Sequence, residues 1–497
     1  MTLSAPSSAL SSAPAAPRPG PAIAVLCVGG LSAALTQTMV IPIQSELPQL
    51  LSTSASNASW VITITLLAAA VTMPVAGRIA DMVGKQRVLT ASAALLLVGS
   101  AVCALSGSLA PMLVGRALQG LAMGFIPVGI SFIREFAPPE TASTAVATMS
   151  ATLGVGGAIG LPLAAWIADS GDWHHLFWVA TALAGVVTVL TWLVVPHVHD
   201  GSSGRLDVPG TIGLAVGLSA FLVGVSKGST WGWGSGLTWG SIVLGAVVLV
   251  AWGAFELRQA EPLVDLRTTA QLPVLMTNLA AVAIGFGMMA QSIVVPQLLQ
   301  MPESTGYGLG QSILAAGLWM APAGLMMLVF APVSSGLMRS IGPKHTLMIG
   351  AAVLGSGYVV ALVLMGAPWQ LLIASCVASA GVGIGYAAMP TLILDSVPPT
   401  EAASAVGVNG LMRSTGTTLA AAVMATLLTS STTSLGGFEV PSESAFQWCF
   451  VVGAAAAFLG VAIAAAVPGV VRRSGGGDDV GERLTDTAPD SVVGTHA

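Results

Sequence analysis

The chain has 497 residues, of which 54% are hydrophobic and only 7% charged, and 21 acidic against 16 basic side chains leave a net charge of −5. A soluble domain carries about a quarter charged residues, so this chain cannot cover a water-facing surface of its size. The mean hydropathy of +0.86 agrees. A soluble multidomain enzyme, a disordered chain and a nucleic-acid binder are excluded, and the solvent for most of the chain is lipid.

Residues 1–21 are rich in Ser, Ala and Pro, hold one basic residue, Arg18, and read as a disordered cytoplasmic tail without a cleavable signal. A helix needs about 20 apolar residues to cross the hydrocarbon. On that ruler fourteen spans follow, at 22–43, 58–77, 88–107, 109–133, 143–168, 176–195, 211–228, 237–255, 274–299, 313–333, 346–365, 368–394, 403–428 and 447–467. Residues 468–497 read as a second disordered tail. Helices are the reasonable spanning form, because the segments are too long and uniformly apolar for barrel strands. Cys27, Cys103, Cys376 and Cys449 form no CxxC pair and read as small core residues.

Charge tests the count. With the N-terminus in the cytoplasm, Arg18, Arg78, Lys85, Arg87, Arg134, Arg205, Arg258, Arg267, Arg339, Lys344, Arg472, Arg473 and Arg483 fall inside. Arg116, Lys227 and Arg413 fall in or at the end of spans, and outer loops carry acids instead, among them Asp169, Asp172, Glu303, Glu439 and Glu443. Both termini inside requires an even count. Twelve spans would mean dropping the seventh and eighth together, which flank the Gly/Trp-rich stretch Ser229 to Gly236.

A charge near the bilayer midplane costs roughly 2.5–3.5 kcal/mol, so each one needs a reason. Arg116 in LVGRALQGLAMG is either a structural cation, snorkelling to the interface or paired with a carbonyl or acid, or a cavity-facing group for substrate or coupling. Gln119 and Gly120, one turn on, make that helix face polar and close-packing and favour the cavity. Arg413 in NGLMRSTG carries the same two readings, and Lys227 reads as interfacial. No acid lies in the middle of a span; Glu46, Glu256 and Asp395 are the nearest. Gln37 between Thr36 and Thr38, and Asn278 and Gln291 near Met288, add polar groups to apolar spans. With Met123 they suggest a largely apolar pocket with a few polar anchors, although an interhelical hydrogen bond is the commoner role for any one of them. Gly154, Gly156, Gly157, Gly160 and Pro162 in span five fit tight packing or a flexing helix. Asp172 with His174 and His175 is the single local hint of an enzyme or zinc site, and adjacent loop histidines are more often solvated.

The loop GRIADMVGKQRVL, Gly77 to Leu89, resembles the 2–3 loop signature of the major facilitator superfamily at Gly77, Asp81, Gly84, Lys85 and Arg87. Gly77 and Gly84 permit a tight turn, and Asp81 can cap a helix end. Arg116, Gln119 and Gly120 resemble the span-four motif, and Gly156, Gly160 and Pro162 resemble, imperfectly, the span-five antiporter motif. GSTWGWGS (Gly228–Ser235), EPLVDLR (Glu261–Arg267), TGYGLGQSILAAG (Thr305–Gly317) and LMRSTGTTLAAAV (Leu411–Val423) are similar to the fourteen-span drug:proton antiporter branch. A weaker copy of the loop stands at Gly336, Arg339, Gly342 and Lys344, without the acid, as two halves grown from one repeat would leave it.

The resemblance implies an all-α polytopic membrane protein with the major facilitator fold. Two six-helix bundles (22–195 and 274–467) would flank two extra central helices (196–273), with both termini cytoplasmic. It implies alternating access around a midplane cavity and export of small amphipathic compounds from the plasma membrane against a proton gradient. The loop Gly77, Arg78, Asp81, Gly84, Lys85 and Arg87 would gate. Arg116, Gln119, Gly120, Gln37 and Arg413 would serve the cavity or coupling, and Met123, Asn278, Met288 and Gln291 would line it. No cofactor or metal, no nucleic acid and a monomer are expected, and without a GxxxxGK[ST] motif ATP does not drive it. One residue departs from the branch: LTQTMVIPIQSELP, Leu35 to Pro48, has Thr36 where relatives carry an acid. A neutral or anionic substrate would suit that loss. The rival readings are an uptake symporter or facilitator for a neutral metabolite and, less favoured, a membrane enzyme, receptor or channel.

Overall fold

The computed structural model describes residues 19–41, 43, 46–169, 171–198, 204–435 and 438–468. Both sequence-expected tails, with Arg18, Arg472, Arg473 and Arg483, lie outside these residues apart from 19–21 and Pro468, and residues 19–21 open the first helix. The long helices are α1 (Pro19–Thr38), α2 (Trp60–Val83), α3 (Lys85–Ala104) and α4 (Leu109–Phe136), the last tightened to a 3₁₀ turn at Ala122–Gly124. Next come α5 (Pro139–Asp169), α6 (His174–Val194), α7 (Val208–Trp231) and α8 (Gly236–Glu256). Then follow α9 (Leu272–Gln300), α10 (Ile313–Val329), α11 (Ala331–Val363), α12 (Pro368–Leu394), α13 (Ala402–Ser430) and α14 (Glu443–Ala465). A hairpin of β1 (Thr432–Leu435) and β2 (Phe438–Pro441), which the hydropathy reading missed, precedes α14.

Local chemistry sets several of these starts. Asp207, Ser235, Ser312 and Ser442 each accept a backbone N–H in the first turn of α7, α8, α10 and α14, satisfying donors that a helix start leaves free. Gly84 ends α2 and opens α3 at φ 97°, a conformation that only glycine adopts at little cost. Gly342 repeats the device at φ 84° inside α11.

Among the described residues, thirteen segments are long and apolar enough to cross a membrane, and one of them, Ile313–Val363, runs for 51 residues. A straight helix of that length would be about 77 Å long, over twice the hydrocarbon thickness, and Gly342 breaks it. α7 and α8 are both among the thirteen, so the pair that a twelve-span reading would discard is helical and apolar. Apolar side chains such as Val250, Trp192 and Trp166 stand exposed, as a lipid-facing surface requires.

α5 is sandwiched between α1 and α10. A Cβ at Gly156 would stand 2.9 Å from the Ala34 carbonyl carbon, and one at Gly154 would stand 2.8 Å from Met327 Cγ. α2 meets α13 as closely: a Cβ at Gly77 would lie 2.6 Å from the Ala403 carbonyl carbon, and one at Gly407 would lie 2.8 Å from that of Met73. α7 covers this seam through Leu214, Leu218 and Leu222, packed with Leu67, Ala70, Val408 and Leu411.

Candidate functional site

At one end of the molecule α2 runs on past the expected boundary at residue 77 to Val83, which carries Asp81 into the helix and leaves it 7% exposed. Its carboxylate accepts the backbone N–H groups of Ala403 (3.2 Å) and Ser404 (2.9 Å), in the first turn of α13. A negative charge at that N-terminus meets both the free donors and the positive end of the helix dipole. Asp81 therefore caps a helix more than three hundred residues away. Around it Lys85 pairs with Glu135 at 2.5 Å and Arg134 with Asp395 at 2.5 Å. Ser143 and Thr144 of α5 hydrogen-bond Ser335 of α11 at 3.0 and 2.8 Å. Arg87 donates to the Val83 carbonyl. Arg78 borders a cavity of about 160 Å³ shared with Glu261, Asp265, Glu401 and Asn278. Gly77 and Asp81 thus sit where 19–195 meets 272–465, while the contacts of Lys85 and Arg87 stay within 19–195.

Arg116 sits deep in α4 and is 1% exposed. Its Nε donates to the Val61 carbonyl (3.1 Å), and Nη1 donates to the Thr36 carbonyl (3.0 Å) and to Gln119 Oε1 (2.7 Å). Gln119 in turn donates to Ser100 Oγ at 3.0 Å, and Thr65 donates to the Arg116 carbonyl at 3.1 Å. Neutral acceptors on α1, α2 and α4 thus satisfy the guanidinium, in the carbonyl-paired arrangement that the sequence left as one of two options. Gly120 lets α4 close on α2, its absent Cβ falling 2.6 Å from that of Ala68. The Thr36 hydroxyl donates to the Ser32 carbonyl at 2.8 Å, while Gln37 beside it is half-buried. Thr38 donates to the Gly156 carbonyl at 3.2 Å, and Gly160 packs on the same threonine. Pro162 packs against Gly317 of α10.

Arg413 is placed differently. It lies eleven residues into α13, about 16 Å along the axis and so near mid-helix. It is 8% exposed, and its guanidinium carbon stands 4.4 Å from the Tyr386 ring centroid. No carboxylate pairs with Arg116 or Arg413 among the described residues. One turn before Arg413, Asn409 donates to Asn278 Oδ1 at 3.0 Å, and the Asn278 Nδ2 is buried without an acceptor. Gln291 is buried and donates to the Ser375 carbonyl at 3.2 Å. Met123 lies in the core of the α1–α6 region, and Met288 is half-buried against the other core. Of the four expected lining residues, Asn278 alone borders the cavity that Arg78 lines.

Lys227, expected at the interface, is buried, donates to the Ser59 hydroxyl and stands 4.6 Å from the Trp60 ring centroid. His174 Nδ1 meets Asp172 Oδ1 at 2.6 Å, and Nε2 meets the Ser106 carbonyl at 3.0 Å. The His174 backbone and ring hold the Asp172 carboxyl below its ordinary range, and the pair ties residues 172–174 to the end of α3. Tyr386 and Asn409 escaped the sequence reading. Tyr386 had a signal, since the chain has only three tyrosines and this one lies inside an apolar run.

Known proteins share this fold. The sequence model of the Major Facilitator Superfamily matches residues 26–300 and 277–489. The chain belongs to the Major Facilitator Superfamily. Its fold is that of the superfamily: the human organic anion transporter MFSD10 (TETRAN) superposes with a TM-score of 0.64 at 15% identity, over 90% of this chain and all of that one. The chain is 27% identical to the tetracenomycin C resistance and export protein of Streptomyces glaucescens, over 67% of its own length and 61% of the relative. It is 25% identical to the multidrug resistance protein B homolog of Mycobacterium tuberculosis, over 75% of its length and 69% of the relative. It thus spans less than two thirds of some superfamily relatives it matches.

Proposed function

We propose that this superfamily member exports small amphipathic compounds across a bacterial plasma membrane by alternating access, coupled to proton entry, and that it acts as a transporter rather than an enzyme. Splitting Ile313–Val363 at Gly342 turns thirteen segments into fourteen spans. An even count with the Lys/Arg-rich loops inside leaves both termini cytoplasmic. The Asp81 end is then the cytoplasmic gate, and the substrate path lies between α1–α6 and α9–α14.

Arg413 carries the substrate reading. A desolvated guanidinium without a carboxylate partner keeps its field for a ligand, and Tyr386 holds it in place without neutralising it. With Thr36 at the position where relatives carry an acid, the cavity favours neutral and anionic amphiphiles over cations. The relatives named as an antibiotic exporter and a multidrug resistance protein support export.

The test uses everted membrane vesicles with an imposed pH gradient, a fluorescent pH probe and a panel of anionic, neutral and cationic amphiphiles. Anionic compounds should collapse the gradient in wild type, and Arg413→Ala should lower that response at least tenfold at unchanged protein level. Equal responses in the two would remove Arg413 from the path. Accumulation of labelled compound without any proton signal would sink antiport and leave the uptake or facilitator reading in its place.

A further inference from the structure

α7 and α8 bring two acids together at the end nearest the Asp81 latch. Glu256, the last residue of α8, is 2% exposed. Its Oε2 accepts the Leu263 N–H at 3.0 Å, while Oε1 is buried with no partner. Asp207, the N-cap of α7, accepts the Gly210 N–H at 2.8 Å through Oδ1, while Oδ2 is likewise buried and unpartnered. Both lone oxygens converge on the place a Cβ of Gly210 would take. The buried indole N–H of Trp252 lies beside Glu256.

Two ionised carboxylates whose buried oxygens converge on one point repel, and buried oxygens without donors are costly. One proton removes both problems: the O–H of one carboxyl donates to the free oxygen of the other, and the pair carries one negative charge instead of two. A bound metal ion fits less well. Calcium takes six to eight oxygens, whereas two face each other here and the indole offers a donor. Among the described residues no cation pairs with either carboxyl. On the linker after α8, Arg258 and Arg267 are exposed, as is Glu261, and Asp265 caps its own turn. Arg205 on the α7 side is exposed, and Arg78 on α2 faces the neighbouring cavity.

We infer that Asp207 and Glu256 form a protonation site holding one shared proton, and that this proton fixes the linker which backs the Asp81 latch. The route is continuous. Glu256 accepts from Leu263, the Leu263 carbonyl accepts from Ser404 Oγ at 3.4 Å, and the Ser404 N–H donates to Asp81. Loss of the proton sets two negative charges against each other at the root of that route. The linker's hold on α13 therefore weakens as pH rises. The site lies at a helix end, so it senses the proton concentration on one side of the membrane and does not carry protons across. It stands whether or not the export reading does, since neither oxygen depends on a substrate.

The test uses the full-length protein in lipid nanodiscs and infrared difference spectroscopy of the protonated carboxyl stretch, without substrate. Wild type should show a carboxylic-acid band lost as pH rises, and that band should be missing from both Glu256→Gln and Asp207→Asn. Hydrogen exchange at Leu263 and Ser404 should accelerate over the same interval by more than base catalysis explains. Glu256→Gln should hold it flat, because the amide donates to Asp207 at every pH. An identical band in wild type and both variants would overturn the assignment, as would a band displaced at constant pH by sodium or calcium chloride. If the variants do not fold, a wild-type spectrum without any titrating carboxylic acid overturns it alone.

Discussion

Arg116 announces itself in the sequence, because a charge inside an apolar run is expensive enough to demand a purpose. Its partners do not. They are the carbonyls of Val61 and Thr36 on two other helices, and a carbonyl is present at every residue, so no side-chain pattern points to it. This geometry changes the expectation for its removal. Read as a free cavity cation, Arg116 could be lost with the fold intact; as built, its loss takes the donor from the fully buried Gln119 Oε1. Arg116→Ala should destabilise the protein by about 2 kcal/mol and lower its melting temperature in detergent, with transport falling in step. Lost transport at wild-type melting temperature would assign Arg116 to coupling rather than to the fold. Arg413 reverses the case: its few neutral contacts leave the charge available, and only the packed structure reveals the Tyr386 ring beneath it.

At the scale of helices, hydropathy located the long apolar helices but not their ends. It tracks the hydrocarbon, whereas α2 continues through Arg78 and Asp81 into the polar zone because its hydrogen bonds do not require apolar side chains. That continuation makes Asp81 a cap on α13 rather than a loop residue. The hairpin of β1 and β2 stayed invisible because eight short, mixed residues carry no apolar run. The repeat was legible: the sequence copy at Gly336 to Lys344 lacks the acid, and the backbone shows what was retained. Gly84 and Gly342 share the same turn, at φ, ψ of 97°, 136° and 84°, 162°. Three residues before each stand Asp81 and Arg339; seven before stand Gly77, packed on α13, and Ser335, bonded to α5. Gly84→Ala and Gly342→Ala should each cost about 1–3 kcal/mol, since that conformation is essentially confined to glycine. Thermal unfolding in detergent checks this, and a substantial loss at Gly84 with none at Gly342 would deny the structural equivalence of the two turns.

For the whole molecule, the question is whether the contacts at the Asp81 end are permanent or part of a cycle. Buried caps such as Asp81 stabilise, but the surrounding bonds from Ser143 and Thr144 to Ser335 and from Arg134 to Asp395 are polar contacts of about 1 kcal/mol or less each. The seam also buries small apolar residues of both halves, Ala76 and Ala80 with Ala403 and Val406, so opening it costs packing as well as these polar bonds, and proton or substrate binding has to meet both. The two ends of a rocking carrier must open in turn, so covalent closure of one end should stop transport, whereas a pore elsewhere in the molecule would be indifferent to it. Ser143 and Ser335 present their hydroxyls to each other at 3.0 Å, which places two cysteines within plausible reach of a disulfide. The double variant Ser143→Cys/Ser335→Cys, built without the four native cysteines, should lose at least 90% of vesicle transport on oxidation and recover it on reduction. The single variants should be unaffected by either treatment. Substrate should still bind the oxidised protein, measured by tryptophan quenching, because the opposite end remains free to open. Full transport through the cross-linked protein would show that the Asp81 end is a static joint and that the substrate takes another route.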